Sequence, residues 1–145
     1  MNYIIEYNKK IQSGEITTSK RIQKVYEKLV HNIDNPNEYF FDIVKANKPI
    51  EFIEKFCRNS KGEWIGQAVK LELFQKAFIQ ALFGFVDKNG VRRFKEVFFY
   101  VARKNGKSTL LSTIMLYMLV ADGEGGAEIV SAATKKEQEI GRAHV

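Results

Sequence analysis

In the stretch "FKEVFFYVARKNGKSTLLSTIMLYMLV", Arg103, Lys104, Gly106, Lys107 and Ser108 crowd between two apolar runs. Side chains of these types, in this order, suit the binding of a polyanion. Gly106 lets backbone amides approach the anion, Lys107 would neutralise the β and γ phosphates of a nucleotide, and the Ser108 hydroxyl would ligate magnesium. The segment "VARKNGKS" fits the Walker A pattern with one departure, since Val101 occupies the place of the first glycine. A solvated basic loop can carry the same Gly-Lys-Ser triplet, so the chemistry depends on the elements around it.

Those elements have the right order. "EVFFYVA" is a short unbroken run of aromatic and β-branched residues, the composition of a strand covered on both faces, and such strands belong to parallel sheets. "STLLSTIMLYMLV" has helical length and stops at "DGEGG". "AEIVSAA" then reads as a second strand, and Thr134 with Glu137 forms a capping box that opens another helix. Strand, loop, helix and strand make one right-handed crossover unit. The predicted fold is therefore α/β, a P-loop NTPase with a parallel sheet and flanking helices, preceded by a helical N-terminal segment.

Upstream, "TTSKRIQKVYEKLVHNI" places Ile22, Val25, Tyr26, Leu29, Val30 and Ile33 at helical spacing behind a Ser or Thr cap. Phe40, Phe41, Ile43 and Val44 suggest a short helix, and "KPIEFIEKFC" restarts one with Pro49 near its first turn. In "LELFQKAFIQALFGF" the stripe is Leu71, Phe74, Phe78, Ala81 and Leu82, and Asn89-Gly90 marks a tight turn.

With 145 residues, 45% of them hydrophobic and 28% charged, the composition is that of one ordinary globular domain. A net charge of +6 permits polyanionic partners without requiring them. Cys57 is the only cysteine, and His31 and His144 are remote from each other, so no disulfide framework or zinc-ligand spacing can be written. The longest apolar helix, from Leu110 to Ala121, falls short of the ~20 residues that span a bilayer, and no targeting segment opens the chain. A reducing cytosol is the expected compartment.

"FYVARKNGKSTLLSTIMLYMLVADGEGGAEIVSAATKKEQ" resembles the ATPase start of the large terminase subunit of tailed bacteriophages. "FGFVDKNGVRRFKEV" and "FIEKFCRNSKGEWIG" are similar to the family's approach to the P-loop, so the likeness runs from about Ile11 to Gln138. The terminase loop commonly lacks the first glycine and carries Arg after a small residue, as Ala102-Arg103 does here.

The resemblance implies ATP and Mg2+ as cofactors. It implies nucleotide contacts from Gln75 and from Ala102, Arg103, Lys104, Asn105, Gly106, Lys107, Ser108 and Thr109, with Ser108 at the metal and Lys107 and Arg103 catalytic. Gln75 would read the adenine edge with Phe74 packed on the base, although from the residues alone Gln75 is only the polar face of an amphipathic helix. Arg103 would reach the γ phosphate, and Lys104 has no assigned side-chain role. The cluster Lys88, Arg92, Arg93 and Lys95 is either a track for DNA phosphates or a solvated hairpin, with the hairpin favoured.

The family further implies a motor that cuts concatemeric phage DNA and drives it into a procapsid in the host cytoplasm. Its partners would be double-stranded DNA, a small terminase subunit, the portal and copies of itself in a ring, with no membrane. The expected organisation is a helical segment over 1–60, the start of the ATPase domain over 61–138, and a non-native tail over 139–145. "EIGRAHV" can be back-translated to a sequence that resembles a common sequencing-library adapter, with a natural frameshift or a short reading frame as the less favoured alternative, and Gly141 interrupts the helix that Thr134 starts. A strand ending in Asp-Glu, a coupling motif and a nuclease are not in the sequence. The chain is accordingly expected to be a fragment that does not turn over ATP alone and that exposes apolar faces of an unfinished sheet. A helicase-like P-loop translocase and an inactive nucleotide-binding remnant remain the alternatives.

Overall fold

The structure is a computed structural model, and it describes residues 1–60, 62–102, 104–123 and 127–130. The chain divides into two compact units, the first built from Met1–Ile50 and Leu71–Val97, the second from Glu51–Lys70 and Phe98–Val145. Each unit thus draws on both sides of residue 60.

The first unit is a helical cluster with a small antiparallel hairpin. Helix α1, Tyr3–Gln12, starts where Asn2 accepts from the Ile5 amide. Helix α2, Lys20–Asp34, starts where Ser19 Oγ accepts from Ile22 N–H at 3.3 Å, as its sequence predicts. Of the predicted stripe, Tyr26 and Leu29 are buried, while Ile22 and Val25 face solvent. Ile4, Tyr7 and Ile11 of α1 meet Tyr26 and Leu29 there, together with Ala77 and Phe85. The Tyr7 and Tyr26 rings stand edge to face, with centroids 4.7 Å apart, an arrangement that favours the aromatic quadrupoles.

Residues 40–56 depart from the expected pattern. Phe40–Phe41 form strand β1 and pair antiparallel with β2, Phe85–Val86, so Phe40 lies opposite Val86 and Phe41 opposite Phe85. Helix α3 then runs unbroken from Ile43 to Phe56 with Pro49 in its interior, not near its first turn. Asp42 explains the start, since its Oδ1 accepts from both Val44 and Lys45 N–H at 3.0 Å. Interior proline costs ~3 kcal/mol, but Ala46, Ile50 and Ile53 recur at helical spacing and are almost fully buried, as is Pro49 itself. Burial on that scale offsets one missing backbone hydrogen bond.

Helix α4, Leu73–Gly84, also turns a different face inward from the predicted stripe. Gln75, Ala77, Ile79, Gln80 and Phe83 are buried, whereas Phe74 and Ala81 are only half-buried. Gly84 ends the helix where a Cβ would stand 2.8 Å from that of Ala46 and collide with the Phe41 ring, so glycine sets this approach. Beyond β2 the chain turns back at Asn89-Gly90 as expected. Gly90 has φ +78°, and Asp87 Oδ1 accepts from Asn89 and Val91 N–H.

In the second unit, helix α5 spans Lys107–Val120 and buries Leu110, Thr113, Ile114 and Tyr117 on one face. The Tyr117 ring lies 5.6 Å from that of Phe52. An isolated bridge, Arg58 to Ala68, closes the loop that carries exposed Trp64.

The predicted strand "EVFFYVA" requires correction, because residues 96–102 form no strand among the described residues. Phe98 is 95% and Tyr100 94% exposed. A buried strand must hand its amides and carbonyls to neighbours on both sides, and no described strand pairs with this run. The sheet present among the described residues is the antiparallel β1–β2 pair, not a parallel one. Of the predicted second strand, residues 127–130 are described and are not in a strand. Ser131 onward, including the Thr134–Glu137 capping box and the 139–145 tail, lies outside the described residues. Among the described residues no helix is long and apolar enough to cross a membrane.

Candidate nucleotide-binding loop

The basic loop leads directly into the N-terminus of α5. Gly106 is the N-cap in a left-handed conformation, φ +68° and ψ +15°, and Lys107 is the first helical residue. Lys104 is also left-handed at φ +66°, and Asn105 between them is not. Left-handed residues on both sides of Asn105 turn the backbone sharply, and turned backbone of this kind can present its amides to an anion. For lysine this conformation costs ~1 kcal/mol or more, whereas glycine adopts it without that penalty. Asn105 Nδ2 donates to the Ala102 carbonyl at 3.2 Å and closes the turn around that residue.

At the helix start, Lys107, Ser108 and Thr109 are exposed, and Leu110 is the first buried side chain. Leu110 N–H donates to the Gly106 carbonyl, so the helical ladder begins there. The first-turn amides ahead of it have no carbonyl one turn earlier to bond, and with the helix dipole they attract negative charge. The helix is held by its buried face through Leu110, Thr113, Ile114 and Tyr117, which leaves the Lys107 ammonium and the Ser108 and Thr109 hydroxyls directed to solvent from a fixed base. Such an end suits a phosphate chain. The exposed Ser108 hydroxyl is an oxygen donor of the kind a magnesium ion takes. Among the described residues no three His, Cys, Asp or Glu side chains gather as a metal site of their own.

The remaining candidates fall elsewhere. Ala102, Lys104, Asn105, Gly106, Lys107, Ser108 and Thr109 share this loop and helix start, while Arg103 lies outside the described residues. Gln75 belongs to the first unit, at the third position of α4, and it is buried. Its Oε1 accepts from Glu72 N–H at 2.9 Å, a capping bond at the helix start that the sequence reading did not include. Phe74 beside it packs half-buried against the first unit's core.

The basic hairpin keeps its arginines on rings. The Arg93 guanidinium lies 5.5 Å from the Tyr39 centroid and 5.3 Å from that of Phe94, and Arg92 lies 5.3 Å from Phe83. Cation–ring stacking in a folded turn is a sufficient reason for both.

Sequence reasoning missed Gln80. It is wholly buried, and it accepts from Tyr3 and Ile4 N–H through Oε1 while donating to the Met1 carbonyl and Asn47 Oδ1 through Nε2. The available signal was a single amide among the apolar residues "AFIQALFGF". The Cys57 thiol is buried, and that burial pushes its pKa up, which makes it an inert core group.

Comparison with known proteins gives a match over a range that includes this loop. The family described as "Terminase large subunit, ATPase domain" matches residues 73–140. The terminase large subunit of Enterobacteria phage HK97 is 35% identical over 97 residues, covering 66% of this chain and 18% of that protein. Terminase large subunits of Lactococcus phages p2 and SK1 are each 29% identical over 145 residues, covering 95% of this chain and 25% of theirs. The chain spans about a fifth to a quarter of the length of these curated relatives. No solved structure matches it.

Proposed function

The chain belongs, through residues 73–140, to the terminase large-subunit ATPase family, and on that premise we propose that it binds ATP with Mg2+ at the loop Ala102–Thr109. The observation that carries this reading is the left-handed pair Lys104 and Gly106 opening onto the exposed first turn of α5. Backbone amides of the loop would hold the phosphates, Lys107 would neutralise the β and γ groups, and Ser108 would complete the magnesium shell. A magnesium ion held there would supply positive charge against that of the phosphates. Arg103, placed by the motif, would add a fixed cation at the γ phosphate. Gln75 would read the adenine edge through the amide that also caps α4.

The wider activity follows from the family. The proposed whole protein is an ATP-driven motor, with a nuclease, that cuts concatemeric phage DNA and packages it into a procapsid in the host cytoplasm. It would work as a homo-oligomeric ring with a small terminase subunit and the portal. The same family implies a P-loop-type fold.

Equilibrium binding of a fluorescent, non-hydrolysable ATP analogue with Mg2+ tests the site. Lys107→Ala removes a charge-assisted contact and should weaken binding roughly ten- to a hundred-fold. Equal affinity in the two proteins would remove the loop from the nucleotide site.

A further inference from the structure

Asn105 ties the loop backbone across the turn with its side chain. Its Nδ2 donates to the Ala102 carbonyl at 3.2 Å. Lys104, enclosed by that bond, has a left-handed backbone, φ +66°, in a residue type that disfavours it. Such a conformation persists where the surroundings over-determine it, and the buried face of α5 fixes only the downstream side, from Leu110 onward. Upstream, Phe98 and Tyr100 are exposed while Phe99 and Val101 are half-buried, so no side chain of that segment is fully packed. The loop also lacks the glycine of the usual pattern at Val101, so the flexibility that would relieve the turn is missing.

From these observations we infer that Asn105 is a positioning residue for the phosphate chain. It acts through the backbone of Lys104, latching that residue left-handed so that the loop amides converge before nucleotide arrives. The inference rests on the nucleotide reading above. It adds a role that direct contact does not supply: Asn105 replaces, by a side-chain hydrogen bond, the preorganisation that a glycine-rich loop obtains from its composition.

A double-mutant cycle on the full 145-residue chain separates this role from a direct one. The probe is the fluorescent, non-hydrolysable ATP analogue with Mg2+, and the proteins are the unsubstituted chain, Asn105→Ala, Lys104→Gly and the double variant. With lysine at 104, Asn105→Ala should raise Kd about five-fold, the worth of one neutral hydrogen bond at ~1 kcal/mol. With glycine at 104 the left-handed backbone needs no latch, and Asn105→Ala should raise Kd less than about two-fold. Loss of the Lys104 charge enters both arms of the cycle and cancels. All four proteins should keep the same far-ultraviolet circular dichroism, since the loop is exposed.

Each outcome decides. If the unsubstituted chain binds but Asn105→Ala costs the same in both backgrounds, Asn105 touches nucleotide directly and the latch is refuted. If Asn105→Ala has no effect with lysine at 104, the bond is irrelevant and the latch is again refuted. If the unsubstituted chain binds no better than Lys107→Ala, the nucleotide reading itself falls and takes the inference with it.

Discussion

Replacing Gln80 by leucine tests what holds α1 in place. Gln80 has no exposed surface, and its amide makes four hydrogen bonds that join the start of α1 to α3 and α4 within the first unit. Leucine preserves most of the volume and removes every polar atom. Ile4 is itself fully buried and Asn47 half-buried, so the Ile4 N–H and Asn47 Oδ1 lose partners where water enters poorly, at ~1–3 kcal/mol each. Met1 is exposed and Tyr3 half-exposed, so their backbone groups regain water at ~0.5–1 kcal/mol each. Burying leucine in place of the amide returns ~1–2 kcal/mol. The net loss is roughly 3 kcal/mol, a large fraction of the ~5–15 kcal/mol that stabilises a domain.

Urea unfolding followed by far-ultraviolet circular dichroism reads this directly, because α1, α2 and α4 contribute much of the helix signal. At a slope of ~1–1.5 kcal/mol/M the midpoint should fall by ~2–3 M with the slope unchanged. Gln12→Leu is the control. Gln12 also donates a side-chain hydrogen bond, to Glu27, but at the surface, and its loss should stay within ~0.5 kcal/mol. A Gln80→Leu midpoint within ~0.5 M of the unsubstituted chain would refute the network as the fastening of α1.

Gln75→Ala should lower the preference for ATP over GTP analogues in competition binding while costing ~1 kcal/mol at the start of α4, where its Oε1 caps Glu72 N–H. Unchanged discrimination with lowered stability would leave Gln75 a cap alone. Tyr26→Phe should flatten the alkaline loss of stability. Burial first, and then the neighbouring Tyr7 phenol, push the Tyr26 phenol well above its ordinary value, so its contribution is intact below the unfolded value of about 10. That contribution is lost as pH rises above 10 toward the raised folded value, because the unfolded chain ionises first. Urea midpoints of both proteins between pH 8 and 11 should diverge only in the upper half of that range, and parallel curves would exclude Tyr26 as the cause.

Relations confined to a few neighbouring residues were legible without coordinates. The Ser19 cap, the Asn89-Gly90 turn and the Gly106-Lys107-Ser108 helix start each depend on side chains within four positions, and each is found where the sequence places it. The family resemblance was legible for the same reason, being carried by an unbroken motif. What failed was whatever depends on a distant partner. The uninterrupted α3 follows from burial that outweighs Pro49, the inward face of α4 follows from which helix it meets, and the Phe40–Phe41 strand exists because Phe85–Val86 lies opposite. The apolar run 96–102 carries strand composition, but no described strand pairs with it. Gln80 could be noticed in the sequence but not interpreted, since its partners Tyr3, Ile4 and Asn47 lie far away along the chain. Composition and short-range hydrogen bonding specify turns, caps and the chemistry of a loop. Only tertiary contact decides which face is buried and which extended segment becomes a strand, because those free energies belong to pairs of segments that the chain must first bring together.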